Sequence, residues 1–338
     1  MTPALSTDQA MTHWAAQQLL TLNRTPLPNP EVIHERPWST VWRFDTAGGA
    51  AFLKRTVPVF AHEVPLTAFL AAQFPGQVPG VLGSDPERRA LLLEDAGTAL
   101  RHAHPADADG GAALLRAWEG IWPQLAELQL ACAAHVQTLL AVGVPDRRPG
   151  TLAARFGTLL ADRAALLVDQ PDSLTAQDVE RAHTLLPRLN ALAAELDAFG
   201  LPHTLHHDDF HDGNVFMRGG AARLADWAES AVTSPLCTLT VGLRGLQYRL
   251  NLPDGDPRLT RVTDAYLEPF RVRLGGTDLR RAADLAQRVG RALRALTWAD
   301  ALRDLPLEVR AAEADAVPGW VGLWLDGMDE ARPVGNLA

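Results

Sequence analysis

The chain of 338 residues carries 40 acidic against 31 basic side chains, a formal charge of −9, and 47% of it is apolar. The acidic balance argues against a nucleic-acid partner, which requires a basic face. Two well-separated cysteines, Cys132 and Cys237, exclude a disulfide scaffold or thiolate zinc site and suit a reducing cytoplasm. No basic-then-apolar leader opens the sequence, and no apolar run nears the ~18 residues of a membrane span. A cytoplasmic protein of about two domains, with no membrane partner, is expected.

In chain order, Ser6-Thr7-Asp8 offers an N-cap to a helix with Met11, Trp14, Ala15 and Leu19 on one side. Strand patterns follow at 32–35, 39–44 and 50–54, the last two joined by an Ala47-Gly48-Gly49 turn. A helix pattern at 60–74 closes at Pro75-Gly76, and strands are expected at 78–82 and 90–93. Beyond Gly97, Ala/Leu patterns at helical spacing run through 111–142, 151–167, 175–199 and again after 235, interrupted by one β-rich island at 205–227. The fold class is therefore α+β. A small antiparallel-sheet lobe with one helix (1–97) is joined to a larger, mainly helical lobe (98–338).

The island holds the densest polar cluster, three His and three Asp within 206–212. That density admits a metal-dependent hydrolase, although no second His/Asp motif supplies partner ligands. A purely structural loop would have to satisfy several desolvated carboxylates. A third reading accounts for more. Asp209 and Asn214 show the D-x-x-x-x-N spacing of a kinase catalytic loop, His207 precedes Asp209 by two, and Asp226 follows across a strand–turn–strand. Phosphoryl transfer needs a carboxylate to orient the acceptor hydroxyl and take its proton, and hard oxygen ligands for Mg²⁺.

The run His207-Asp-Asp-Phe-His-Asp-Gly-Asn214 resembles the H-G-D-x-H-x-G-N loop of the aminoglycoside phosphotransferase family, small-molecule kinases related to choline and homoserine kinases. Asp226-Trp227 through Pro235-Leu236 resembles that family's D-W continuation. The resemblance implies a protein-kinase-like two-lobed fold, Asp209 as catalytic base with His207 beside it, and Asn214 and Asp226 as magnesium ligands. It further implies ATP and Mg²⁺ as cofactors. Departures are Asp208 for the usual Gly, Asp212 for a common Pro, and Ser234 and Thr238 where acidic residues often stand.

A kinase-like small lobe needs a Lys on its third strand and a Glu on the next helix. Lys54 is the single Lys among the 31 basic residues and ends the third strand pattern. Glu63 is the one acidic residue between Thr56 and Ser84, although nearby Pro65 disfavours a regular helix interior. By the same resemblance, the backbone of Glu94, Asp95 and Ala96 would meet adenine. The nucleotide loop would be Arg36-Pro-Trp-Ser-Thr-Val41, which lacks glycine; either the Ser39 and Thr40 hydroxyls contact phosphate in its place or Ser39 is a turn residue only.

The expected reaction is ATP- and Mg²⁺-dependent phosphorylation of a small-molecule hydroxyl, as on an aminoglycoside, amino alcohol or sugar. Candidate groups lining the acceptor cleft are Glu229, Tyr248, Trp298, Asp300, Asp304, Trp320 and Trp324, although core or helix packing is the favoured reading for each Trp taken singly; the arginine-rich run 280–303 reads as a solvated face. The alternatives are a non-catalytic kinase-like nucleotide-binding module and the metal-dependent hydrolase.

Overall fold

The computed structural model describes residues 7–106, 108–171, 173–275, 278–310 and 312–329. Of the proposed first cap, Ser6 lies outside them. One compact unit runs to Ala103 and also takes in Gly213–Ala228; the second comprises His104–Asp212 and the chain from Glu229.

In the first unit α1 (Thr7–Thr21) precedes β1 (Glu31–Arg36), β2 (Ser39–Phe44), β3 (Ala51–Thr56), α2 (Glu63–Gln73), β4 (Val81–Asp85) and β5 (Ala90–Glu94). The strands form one antiparallel sheet in the order β1-β2-β3-β5-β4. Successive strand residues point to opposite faces, so the register gives each side chain a face. Trp42, Phe44, Ala51, Leu53, Ala90 and Leu92 share one, buried against Met11, Ala15 and Leu19 of α1. Val41 and Lys54, paired across β2 and β3, occupy the other.

The β-rich island does not form one structure. Its first strand, β7 (Thr204–His207), pairs in the second unit with β10 (Ser230–Thr233), which lacks a strong alternating pattern and was not expected. Its remainder, β8 (Val215–Arg218) and β9 (Ala221–Leu224), is a hairpin of the first unit, extended by β6 (Thr98–Ala99) just before α3 (Leu100–Ala103). Gly219 and Gly220, with φ of 60° and 83°, make the two-residue turn whose twist suits a hairpin. Pairing of β6 with β8 is also why the first unit passes the expected boundary at residue 97.

The second unit contains α4 (Ala112–Cys132), α5 (Val136–Ala141), α6 (Pro149–Leu160), α7 (Ala176–Ala198), α8 (Leu239–Leu250), α9 (Pro257–Leu274), α10 (Leu279–Arg303), α11 (Leu307–Arg310) and α12 (Ala316–Asp329). The helix expected over 151–167 stops at Leu160, and Asp162 then accepts the Ala165 N–H at 3.0 Å to form a turn. No helix among the described residues is long and apolar enough to cross a membrane.

Aromatic packing fixes the loop after β7. Phe210 meets Trp118 and Trp122 of α4 edge-on, with centroids 5.3 and 4.8 Å away, while Gly242 of α8 lies against the same Trp122. A methyl at Gly242 would stand 2.4 Å from the Trp122 ring and 3.2 Å from the Phe210 carbonyl. Gly242→Ala should therefore cost ~1–3 kcal/mol by overpacking, measured as a lower denaturation midpoint at unchanged m-value.

Candidate active site

Lys54 of β3 is buried, and its Nζ donates to Glu63 Oε1 at 2.6 Å and Asp226 Oδ1 at 2.7 Å. Pro65 does not obstruct this. Glu63 begins α2, so Pro65 lies in the first turn, where a missing N–H costs no helical bond; Leu66 N–H to His62 O (3.0 Å) is the first. Asp226 stands at the open end of the β8–β9 hairpin. There Ala225 N–H donates to the Asn214 carbonyl at 2.9 Å, which brings residues 214 and 226 to one end. Asp226 has a φ of 63°, a left-handed conformation that Asp tolerates better than most residues.

This ammonium faces two carboxylates. Burial opposes its charge, but Asp226 and Glu63 outweigh burial and hold Lys54 above the ordinary lysine range. Glu63 itself, although beside Lys54, is pushed up to about 7 by burial. Removing one partner of such a buried pair is costly even where the pair adds little net stability.

The other nucleotide-site candidates are placed differently. Ser39 shares the Lys54 face, since it pairs with Thr56. Thr40 points to the α1 face instead, where it accepts from Arg55 at 3.4 Å, and Arg55 in turn meets Asp8 of α1. The structure thus separates Thr40 from Lys54. Glu94 closes β5, its N–H donating to Gly80 O at 2.8 Å and its carboxylate meeting Arg24 at 3.3 Å. The Asp95 carbonyl accepts from Arg218 and Arg223, and its Oδ1 accepts the Gly97 N–H; Ala96 is buried.

In the second unit the loop after β7 is held from below. His206 Nδ1 meets Thr238 Oγ1 at 3.0 Å and its Nε2 meets Asp208 Oδ1 at 3.1 Å. Thr297 donates to the other Asp208 oxygen and is itself contacted by Arg147. Burial would raise Asp208, yet His206, Arg294 and Thr297 together lower it. His207 is fully buried against Phe210 (5.5 Å between ring centroids), and its Nδ1 accepts the Asp209 N–H at 3.3 Å. Its ring lies inside the loop and holds the Asp209 amide.

Arg294 of α10 was read from sequence as part of a solvated face; the structure buries it. It donates to Asp209 Oδ1 at 2.9 Å and the Asp208 carbonyl at 3.0 Å, contacts Glu229, and lies over Trp298 at 5.4 Å. The available signal was the apolar set Ala292, Leu293, Ala295 and Leu296 immediately around it, all of which α10 buries. His211, also passed over, meets Asp209 Oδ2 at 3.2 Å. Burial alone would raise Asp209, but Arg294, His211 and His207 hold it well below the usual carboxylate range.

The proposed acceptor carboxylates are largely engaged: Glu229 with Arg294, and Asp300 with Arg147 and Arg303. Trp324 is core, stacked edge-on against Phe156, Trp320 lies under Arg244, and Tyr248 is exposed. Among the described residues no three His, Cys, Asp or Glu side chains are placed to hold one metal ion, which leaves the hydrolase reading without a ligand set. An Asn carbonyl and an Asp carboxylate, as at 214 and 226, are the hard oxygen donors that Mg²⁺ takes in small number when phosphates complete its shell.

Glu229 generates a pH-dependent expectation. Burial, opposed by Arg294 and reinforced by Asp209 and Asp208, pushes it up to about 7. For a carboxyl raised above its unfolded value, the stabilising contribution is complete below the unfolded pKa and fades as pH rises through the folded one. Between pH 5 and 8 the Tm of the wild type should therefore fall relative to Glu229→Gln; a constant difference would contradict the assignment.

No protein-family model and no curated protein sequence matches the chain. Solved structures do. The choline kinase LicA from Streptococcus pneumoniae is 12% identical, with 94% of this chain and 99% of that one covered at a TM-score of 0.60. A choline/ethanolamine kinase family protein from Mesorhizobium loti is 16% identical, with 95% and 96% covered at 0.58. A thermostable aminoglycoside phosphotransferase mutant, in ternary complex with AMP-PNP and hygromycin B, is 16% identical, with 94% and 99% covered at 0.52. The chain therefore has the kinase-like α+β fold of these choline kinase and aminoglycoside phosphotransferase structures.

Proposed function

We propose that the protein transfers the γ-phosphoryl group of ATP, with Mg²⁺, to a hydroxyl of a small molecule. The observation that carries this is the lone Lys of the sequence, held at 2.6 and 2.7 Å between Glu63 and Asp226. In this reading Lys54 meets the α- and β-phosphates, while Glu63 fixes its ammonium. Asn214 and Asp226 would hold Mg²⁺, which when bound offsets charge on the phosphate oxygens. A nucleotide analogue in one structural neighbour is consistent with ATP as donor.

Asp209 orients the acceptor hydroxyl and receives its proton at a carboxylate oxygen. The positive neighbours make it a weak base. This suits phosphoryl transfer, whose loose transition state asks more for positioning than for base strength. The acceptor is a small hydroxyl compound. Choline kinase and hygromycin-complex neighbours favour an amine-bearing one, whereas the arginines on Glu229 and Asp300 do not. Two free, buried cysteines are consistent with cytoplasmic residence.

A mass-shift screen with ATP and Mg²⁺ over aminoglycosides, amino alcohols, sugars and nucleosides tests the reading. With a substrate in hand, Asp209→Asn should lower kcat by ~10²–10⁴; unchanged turnover removes Asp209 as the base. Lys54→Arg should weaken ATP use although charge is kept, because a planar guanidinium does not reproduce a compact ammonium. The glycine-free loop favours one second reading, a nucleotide-binding module without catalysis. ATP binding with no transfer to any acceptor would select it.

A further inference from the structure

The β1–β2 connection is a two-residue turn, Pro37-Trp38, flanked by the pair Arg36 and Ser39. Backbone amides cradle phosphate where successive N–H groups converge, an arrangement that glycine-rich loops reach through residues of positive φ. Neither Pro37 nor Trp38 has a positive φ, and Pro37 has no N–H at all. The turn is also fastened down, Val57 N–H donating to the Trp38 carbonyl at 3.1 Å. A backbone grip on phosphate is lost here, and Thr40 faces away.

The register supplies another. His34 pairs with Val41 and Val41 with Lys54, so the three stand abreast on adjacent strands and share one face of the sheet. His34 and Lys54 are thus two strand spacings apart, ~10 Å between backbones. Arg36, two residues beyond His34, lies on the same face above Ser39 and Thr56. Both residues belong to the exposed β1. Electrostatic coupling of His34 to Arg36, Asp226 and Lys54 agrees with this placement.

We infer that His34 and Arg36 are phosphate-binding residues for the nucleoside triphosphate, with side chains from β1 taking the place of a glycine-rich backbone cradle. Arg offers paired donors to phosphate oxygens. The inference rests on the phosphotransferase reading, because it takes the ligand on the Lys54 face to be ATP.

Calorimetric titration of the wild type, His34→Ala and Arg36→Ala with ATP plus Mg²⁺, and separately with adenosine, tests it. Each substitution should weaken ATP affinity by about tenfold and leave adenosine affinity unchanged, with Arg36→Lys recovering part of the loss. Unaltered ATP affinity in both alanine variants overturns the inference while the phosphotransferase reading stands. Equal losses for ATP and adenosine also overturn it, since they report a structural effect. A wild type that does not bind ATP removes both.

Discussion

The ion pair between Lys54 and Glu63 sets what the first unit can be. A buried ammonium is tolerable only if its partners reach it, so the register of β3, the start of α2 and the end of the β8–β9 hairpin are fixed together. Each is a local solution in the sequence: a strand whose other face is covered by α1, a proline placed in the first turn, and a two-glycine turn. The bias that made every other basic residue Arg left this position alone. A slender, freely rotating ammonium fits between two carboxylates and can be shared with phosphate; a planar fork of donors imposes its own geometry.

The second unit treats its cation in the opposite way. Arg294 is buried, and its two terminal nitrogens donate among Asp208, Asp209 and Glu229. Its planar donors suit a fixed scaffold. In both clusters carboxylates outnumber the cation that holds them. One carboxyl in each, Glu63 and Glu229, has its pKa raised to about 7, chiefly by burial and further by the neighbouring carboxylates.

Where local pattern and tertiary demand coincided, the fold was legible. The five-stranded sheet, its helix and the Lys54–Glu63 pair follow from strand alternation and from the scarcity of alternatives in the sequence. The run from His207 to Asn214 stood out because the chemistry proposed for it asks for those residue types at that spacing. Three kinds of information were not local. The split of the 205–227 island depends on which strands pair, and β10 is defined only by its partner β7. The face on which Thr40 lies depends on register, since a shift of one residue exchanges the faces. Arg294 continues a polar stripe at helical spacing with Arg291 and Thr297, and only the packing of α10 turns this part of the stripe inward.

The departures at 208 and 238 make sense together. Thr238, where an acidic residue often stands in the family that the motif resembles, accepts the His207 N–H at 3.2 Å and faces Nδ1 of His206. Asp208, where Gly is usual, faces Nε2 of the same ring. The His206 imidazole is thus held between a hydroxyl on one side and a carboxylate on the other. A buried Asp in place of Gly is unfavourable unless its oxygens are satisfied, and here His206 and Thr297 satisfy them while Arg294 balances the charge. Arg147, through Thr297, ties the same cluster to Asp300. The buried charge of Asp208 is thus absorbed by residues on β7, α10 and the segment before α8, the same elements that hold the loop carrying Asp209.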